Sequence, residues 1–192
     1  MNKPRAAVFA SGTGSNFQAI MESSDLACEI VLLVCDQPEA SVIKKAKHYG
    51  VPTVVFQAKA YRDKSAYEEM LIKNLKKANV EWIFLAGYMR IVGETLLRTF
   101  DKRIINIHPS WLPDFPGKDA IGQAYRADVT KTGVTVHYID EGIDTGPIIS
   151  QEEVKVLPED TEDSLKKRIQ QVEHRLYPQV INQLIEMTKS EG

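Results

Sequence analysis

Ala6-Ala7-Val8-Phe9-Ala10-Ser11-Gly12-Thr13-Gly14-Ser15-Asn16 is the stretch that decides the fold class. Its five leading apolar residues read as a strand buried on both faces. The run stops in a small, glycine-rich turn, after which Phe17, Ile20 and Met21 recur at helical spacing. Strand, glycine turn and helix form a unit that can cradle a phosphate. The glycines let the backbone come close, and the helix start offers free N–H groups at the positive end of its dipole. Phe17 stands where a dinucleotide fingerprint needs its third glycine, and no Gly-Lys-Ser/Thr follows, so neither standard nucleotide loop is present. An anion here would be held by backbone and small hydroxyls; the alternative is a plain tight turn.

Working outward, Glu29–Val34 reads as a second strand and Ser41 as the cap of a helix that ends at Gly50-Val51-Pro52. Thr53–Phe56 makes a third strand. Asp63 caps a helix with Tyr67, Met70, Leu71, Leu75 and Ala78 inward, and with Glu68, Glu69, Lys73, Lys76 and Lys77 on a solvated face. Glu81–Ala86 is a fourth strand, closed by Gly87–Arg90; Glu94–Phe100 is a short helix and Arg103–His108 a fifth strand. This alternation implies an α/β fold with an open, mostly parallel, Rossmann-like sheet and helices on both faces. Such sheets bind ligands outside the carboxyl ends of their strands. Gly12–Asn16, Tyr88–Arg90 and Asn106–Pro113 all fall there.

The remainder departs from the parallel pattern. Val134–Ile139 alternates as a strand, Asp140–Pro147 is a turn and Ile148-Ile149 resumes, which suggests an antiparallel hairpin near the C-terminus. On that strand His137 reads as a half-exposed residue and not as a ligand. Thr161 opens a long helix with Leu165, Ile169, Val172 and Leu176 as its stripe; Pro178 is expected to kink or break it before Val180, Ile181, Leu184 and Ile185.

Composition narrows the class. The 192 residues suit one domain, 1–192, burying about 70% of its unfolded surface. A formal net charge of −2 and the lack of a basic block argue against nucleic acid as a partner. Cys28 and Cys35 lie in or beside an apolar run without CxxC spacing, as buried thiols in a reducing compartment do. With no secretory h-region and no long apolar span, the expectation is a cytoplasmic protein with no membrane partner.

The chemistry points to Ile104-Ile105-Asn106-Ile107-His108-Pro109. In a strand Asn106 and His108 share one face, their Cα atoms roughly 7 Å apart. Pro109 biases His108 away from helix, so the strand leaves as an ordered turn. The histidines lack HxxxH or HExxH spacing, which argues against a metal, and no Gly-x-Ser-x-Gly elbow is present. Asp140, Glu141 and Asp144 crowd a later turn. An amide oxyanion donor beside an imidazole, with a carboxylate to hold it, suits attack of an amine on a carbonyl.

Ile107-His108-Pro109-Ser110 with Leu112-Pro113, then Val136-His137 and Asp140-Glu141-Gly142-Ile143-Asp144-Thr145-Gly146-Pro147-Ile148-Ile149, resembles the formyltetrahydrofolate-dependent formyltransferases. With Ser11–Asn16 the resemblance runs over nearly the whole chain. It implies transfer of a formyl group from the cosubstrate 10-formyltetrahydrofolate, without a metal, to the amine of glycinamide ribonucleotide (GAR). The products are formyl-GAR and tetrahydrofolate, formed directly through a tetrahedral intermediate in the third step of de novo purine biosynthesis. By resemblance Asn106 donates to the oxyanion, His108 moves the proton and Asp144 orients His108. Gly14, Ser15 and Asn16 hold the substrate phosphate, and Gln170 and Glu173 reach its ribose. Folate lies against Met89, Arg90, Ile91 and Val92, with its pterin in the turn that starts at Asp140 and walls of Leu85, Leu96, Ile104 and Ile139. Residues 1–100 become a phosphate-binding half and 101–192 a catalytic and folate-binding half.

Departures and rivals follow from the same comparison. Lys64 stands where many members use Arg for the folate tail, and Lys118-Asp119-Ala120-Ile121 replaces a histidine-containing stretch. Trp111 stands where leucine is usual. Relatives with the same site differ in acceptor: a formyltetrahydrofolate deformylase uses water and would bring an amino-terminal regulatory domain. A methionyl-tRNA formyltransferase would bring a basic carboxy-terminal extension. A non-catalytic folate- or nucleotide-binding protein would leave Asn106 and His108 without a purpose.

Overall fold

Apolar residues throughout Ala6–Ala10, all without solvent exposure, suit the first strand to the interior of the sheet. The computed structural model describes residues 2–192; Met1, the first residue of the expected 1–192 domain, lies outside them. Strands and helices alternate as β1 (Arg5–Ala10), α1 (Ser15–Glu22), β2 (Glu29–Cys35), α2 (Val42–His48), β3 (Thr53–Val55), α3 (Lys64–Lys77), β4 (Trp82–Leu85), α4 (Glu94–Thr99) and β5 (Ile104–His108). Then come α5 (Ala120–Arg126), β6 (Lys131–Tyr138), β7 (Ile148–Lys155) and α6 (Glu162–Ser190).

The sheet runs β3-β2-β1-β4-β5-β6-β7. The first five strands in that row are parallel, while β6 and β7 join antiparallel, as the alternation and the late hairpin imply. Alternate residues of each strand feed two cores. Ala6, Val8, Ile105 and Ile107 pack with Phe17 of α1 and Leu176, Tyr177 and Val180 of α6. Ala7, Phe9, Ile83 and Ile104 pack with Leu71 and Leu75 of α3 and Leu96 of α4. The strand order reverses between β1 and β4, so the loops after these strands open the crevice in which such sheets hold ligands.

Three local expectations are corrected. Ser41 is already helical at φ −66° and its side chain makes no capping bond; the Val42 N–H is taken instead by the Gly12 carbonyl at 3.1 Å. Pro178 neither ends nor interrupts α6, which runs unbroken from Glu162 to Ser190. The missing N–H is offset by burial of Leu176, Pro178, Val180 and Ile181, and by Tyr177 Oη, which donates to the Leu85 carbonyl at 2.8 Å. Glu68 is not on a solvated face: it is buried at 2% exposure and accepts from the backbone N–H groups of Gly93 (2.8 Å) and Leu96 (3.3 Å). Its carboxylate caps α4 from the neighbouring helix, a role no pattern within α3 reveals. Asp63 does cap α3, accepting from Ala66 N at 2.9 Å.

Candidate active site

β5 carries Asn106 and His108 to the carboxyl edge of the sheet, on the face shared with Ile104. Antiparallel pairing sets Asn106 opposite His137 and His108 opposite Thr135 of β6. The turn after β6 then brings Asp144, in a left-handed backbone conformation (φ 55°) that Asp tolerates, back to the same place. Asp144 Oδ2 lies 3.5 Å from His108 Nδ1 and Oδ1 lies 3.7 Å from His137 Nε2. One carboxylate therefore sits between two imidazoles.

Each ring has a defined hydrogen-bond role. The Phe115 carbonyl, 2.9 Å from His108 Nε2, can only accept, so that nitrogen donates. Gly117 N–H donates to Asp144 Oδ2 at 2.7 Å, so the segment after Pro113 braces both members of the pair. His137 Nδ1 donates to the Tyr138 carbonyl at 2.8 Å, leaving Nε2 to accept from Asn106 Nδ2 at 3.3 Å. Burial is the main reason that the His137 pKa lies below its ordinary value, in keeping with a neutral ring. His137 has no solvent exposure, which corrects its reading as a half-exposed strand residue. A signal was present: Thr135 and His137 alternate with apolar Val134, Val136 and Tyr138. What the sequence lacks is the register that sets them against Asn106.

At β1 the glycine turn is as expected. Gly14 is left-handed (φ 76°, ψ 28°) and Ser15 opens α1. A Cβ on Gly14 would stand 2.4 Å from Val42 Cγ2, so only glycine fits there. Asn16 lies beside the Glu173 carboxyl of α6, and its Oδ1 is buried without a protein partner. Burial pushes the Glu173 carboxyl up to about 7. Gln170 lies one turn earlier on α6, half-buried. An amide oxygen without a protein partner beside a buried carboxyl, at the start of a helix, is a polar group suited to bind a hydroxyl or amine.

Beyond β4, Met89 and Ile91 are exposed (63% and 50%) while Val92 is buried. The Arg90 guanidinium turns to Asp36, Nε to Oδ2 at 2.8 Å, and Lys64 Nζ donates to the Ile91 carbonyl at 2.8 Å. Lys64 thus meets the 89–92 segment itself. A cleft of about 680 Å³ opens nearby, lined by Leu97, Phe100, Ile104, Ile139 and Asp140 among others, a size that suits a small organic ligand. Of the four walls expected, Ile104 and Ile139 line it, whereas Leu85 and Leu96 are turned into the core and Leu97 takes the wall position. Asp140 accepts from Thr145 Oγ1 (2.6 Å) and Gly142 N–H (2.9 Å), which together hold its carboxyl below the ordinary value. Trp111 lies over Gly133 of β6, where an added Cβ would come within 2.9 Å of its ring. Among the described residues no three His, Cys, Asp or Glu side chains gather as metal ligands, and no helix is long and apolar enough to cross a membrane.

Known proteins share the sequence and the fold. A family model described as formyl transferase matches residues 4–181. The phosphoribosylglycinamide formyltransferase of Bacillus subtilis (strain 168) is 50% identical over 93% of each chain. A Drosophila melanogaster protein named trifunctional purine biosynthetic protein adenosine-3 is 39% identical over 97% of this chain, which spans 14% of that longer protein. Among solved structures, glycinamide ribonucleotide transformylase 1 from Geobacillus kaustophilus superposes with a TM-score of 0.93 at 53% identity, covering 96% of this chain and all of that one.

Proposed function

The chain belongs to the formyl transferase family, and on that premise we propose that Asn106, His108 and Asp144 are its catalytic residues. The reaction is transfer of the formyl group of 10-formyltetrahydrofolate to the amine of GAR, giving formyl-GAR and tetrahydrofolate, in de novo purine biosynthesis. The observation that carries the assignment is the meeting of His108 Nδ1 with Asp144 Oδ2 at 3.5 Å, beside an Asn106 amide whose orientation His137 sets.

The chemistry follows from those contacts. The GAR amine attacks the formyl carbon, forming a C–N bond and placing negative charge on the formyl oxygen. Asn106 Nδ2 has one hydrogen on His137; its second is free to donate to that oxyanion. Collapse of the tetrahedral intermediate breaks the bond to the folate nitrogen, which takes up a proton as the amine gives one up. His108 Nε2, which bears the proton donated to the Phe115 carbonyl, gives that proton to the folate nitrogen and takes up the one the amine releases. Asp144 keeps the ring in place.

Gly14, Ser15 and Asn16 hold the GAR phosphate on backbone N–H groups and small side chains, without a lysine. Gln170 and Glu173 reach its ribose, Glu173 from beside Asn16. Folate lies on Met89–Val92, with its pterin in the cleft bounded by Asp140 and Ile139, and Lys64 spends its remaining donors on the glutamate tail. Phosphate binding belongs mainly to residues 1–100 and catalysis to 101–192, although Glu173 and Met89–Val92 cross that division. We place the protein in the cytoplasm, acting on these two small molecules with no nucleic-acid or membrane partner.

One assay tests the acceptor. Loss of 10-formyltetrahydrofolate is followed with GAR, with buffer alone and with charged initiator tRNA. The expected result is consumption with GAR only; consumption in buffer alone would favour the deformylase.

A further inference from the structure

Asp36, directly after β2, has a side chain only 1% exposed, yet both of its oxygens are occupied. Oδ1 accepts from Ser11 Oγ and Oδ2 accepts from Arg90 Nε at 2.8 Å. The Ser11 hydroxyl has one proton, which it gives to Asp36, and it accepts from the backbone N–H of Met89 at 2.9 Å. The Ser11 N–H donates to the Gly87 carbonyl at 3.1 Å. Gln37 Nε2 adds a longer bond to Oδ2 at 3.4 Å, so each hydrogen bond to the Asp36 carboxylate has a direction.

Ser11 immediately precedes the phosphate loop, and Met89 and Arg90 open the folate segment. Residues 86–93 form no helix or strand; backbone bonds to β1 and its turn fix Ala86 and Gly87, and side chains from elsewhere hold Met89, Ile91 and Gly93. A buried carboxylate is costly unless fully paired, and this one is paired only while the loops after β1, β2 and β4 keep their present relation.

Resting on the assignment of Gly14–Asn16 to GAR and Met89–Val92 to folate, we propose that Asp36 is a positioning residue for both substrates. Acting through Ser11 and Arg90, it holds the phosphate loop and the folate segment in register, and touches neither substrate. Asparagine cannot replace it. The amide has one accepting oxygen, so either Ser11 or Arg90 loses its acceptor.

The test is steady-state kinetics on D36N and S11A, with thermal unfolding of each. S11A keeps the Asp36–Arg90 pair but removes the bond to Met89 N–H, and it decides the matter if D36N does not fold. In each variant the KM for GAR and the KM for 10-formyltetrahydrofolate are both expected to rise roughly tenfold, the effect of one lost charge-assisted hydrogen bond. At saturation kcat should fall by less than about threefold and its pH profile should keep its shape, because the atoms around His108 are untouched. S11T, which retains the hydroxyl, is expected to restore both KM values. The proposal is overturned if both KM values stay within about twofold of wild type, if only one substrate responds, or if kcat falls with the KM values unchanged. N16A separates this outcome from failure of the site assignment: an unchanged KM for GAR in that variant removes the phosphate loop from the site, whatever Asp36 does.

Discussion

Nδ2 of Asn106 and Nε2 of His137 stand 3.3 Å apart across the antiparallel pair β5–β6. Because His137 Nδ1 is committed to the Tyr138 carbonyl, the ring can only accept at Nε2, and the Asn106 amide has one way round. Its NH₂ faces His137 and its second hydrogen is left for a substrate oxygen. His137 thereby sets the orientation of the proposed oxyanion donor.

Replacing His137 with Ala should therefore lower kcat about tenfold or more, ~1.4 kcal/mol of transition-state stabilisation, with little change in either KM. Double-variant kinetics check the route. If His137 acts through Asn106, adding H137A to N106A should produce almost no further loss.

His108→Ala should reduce turnover by about 10²–10⁴-fold, the range for removal of a positioned proton carrier. GAR should still bind, since the phosphate and ribose contacts proposed for it lie at α1 and on α6. Calorimetric titration with GAR alongside the activity assay separates the two effects; undiminished turnover would remove His108 from the mechanism.

Gly14→Ala sets a methyl group 2.4 Å from Val42 Cγ2 at a positive φ. The loop must shift, and the variant should lose at least about 1–2 kcal/mol of stability together with most GAR affinity. Urea unfolding and GAR titration read the two consequences. Ser15→Ala, with no such clash, should leave stability within about 0.5 kcal/mol of wild type.

Glu173 makes stability depend on pH in an unusual sense. Its folded pKa of about 7 lies above the ordinary 4.5, so the folded protein binds that proton more tightly than the unfolded chain. Stability falls as pH rises from about 4.5 to about 7, by roughly 3 kcal/mol for this group alone. E173Q should lack that slope, and should therefore gain on wild type across the same interval in ligand-free thermal unfolding. His137 acts in the opposite sense. Its folded pKa is depressed, so its share of stability is present above the ordinary value of 6.5 and lost as pH falls below it.

Glu68→Ala leaves the Gly93 and Leu96 N–H groups without their acceptor at a buried helix start. A loss of about 1–3 kcal/mol is expected in chemical denaturation. A rise in the KM for 10-formyltetrahydrofolate should accompany it, because Gly93 closes the segment Met89–Val92.

Much of this molecule is legible locally. The apolar runs of β1, β2 and β4, the Gly14 turn and the Asp63 cap are each specified within a few residues, and each forms where its pattern lies. Asn106 and His108 announce themselves because period-two alternation puts two polar groups on one side of an apolar strand. Other features are invisible at that range. Glu68 and Glu69 are adjacent glutamates, and the bonds of Glu68 to the start of α4 accompany its burial while Glu69 stays exposed. Leu96 and Leu97 are adjacent leucines; the rotation of α4 against the sheet sends the first into the core and the second to the cleft wall. Pro178 should disrupt a helix in isolation, yet burial along α6 and the Tyr177 bond to the sheet carry the helix through it.

The sequence by itself determined an alternating α/β sheet, and two polar side chains, Asn106 and His108, on one face of a strand at its carboxyl edge, because hydrophobic period and turn chemistry are short-range properties. Tertiary structure alone decided the rest of the site. Asp144 reaches His108, His137 reaches Asn106, Glu173 reaches Asn16 and Asp36 reaches both Ser11 and Arg90 through strand register and helix docking. Those relations join residues far apart along the chain, and they are set by how buried surfaces pack, not by any local pattern.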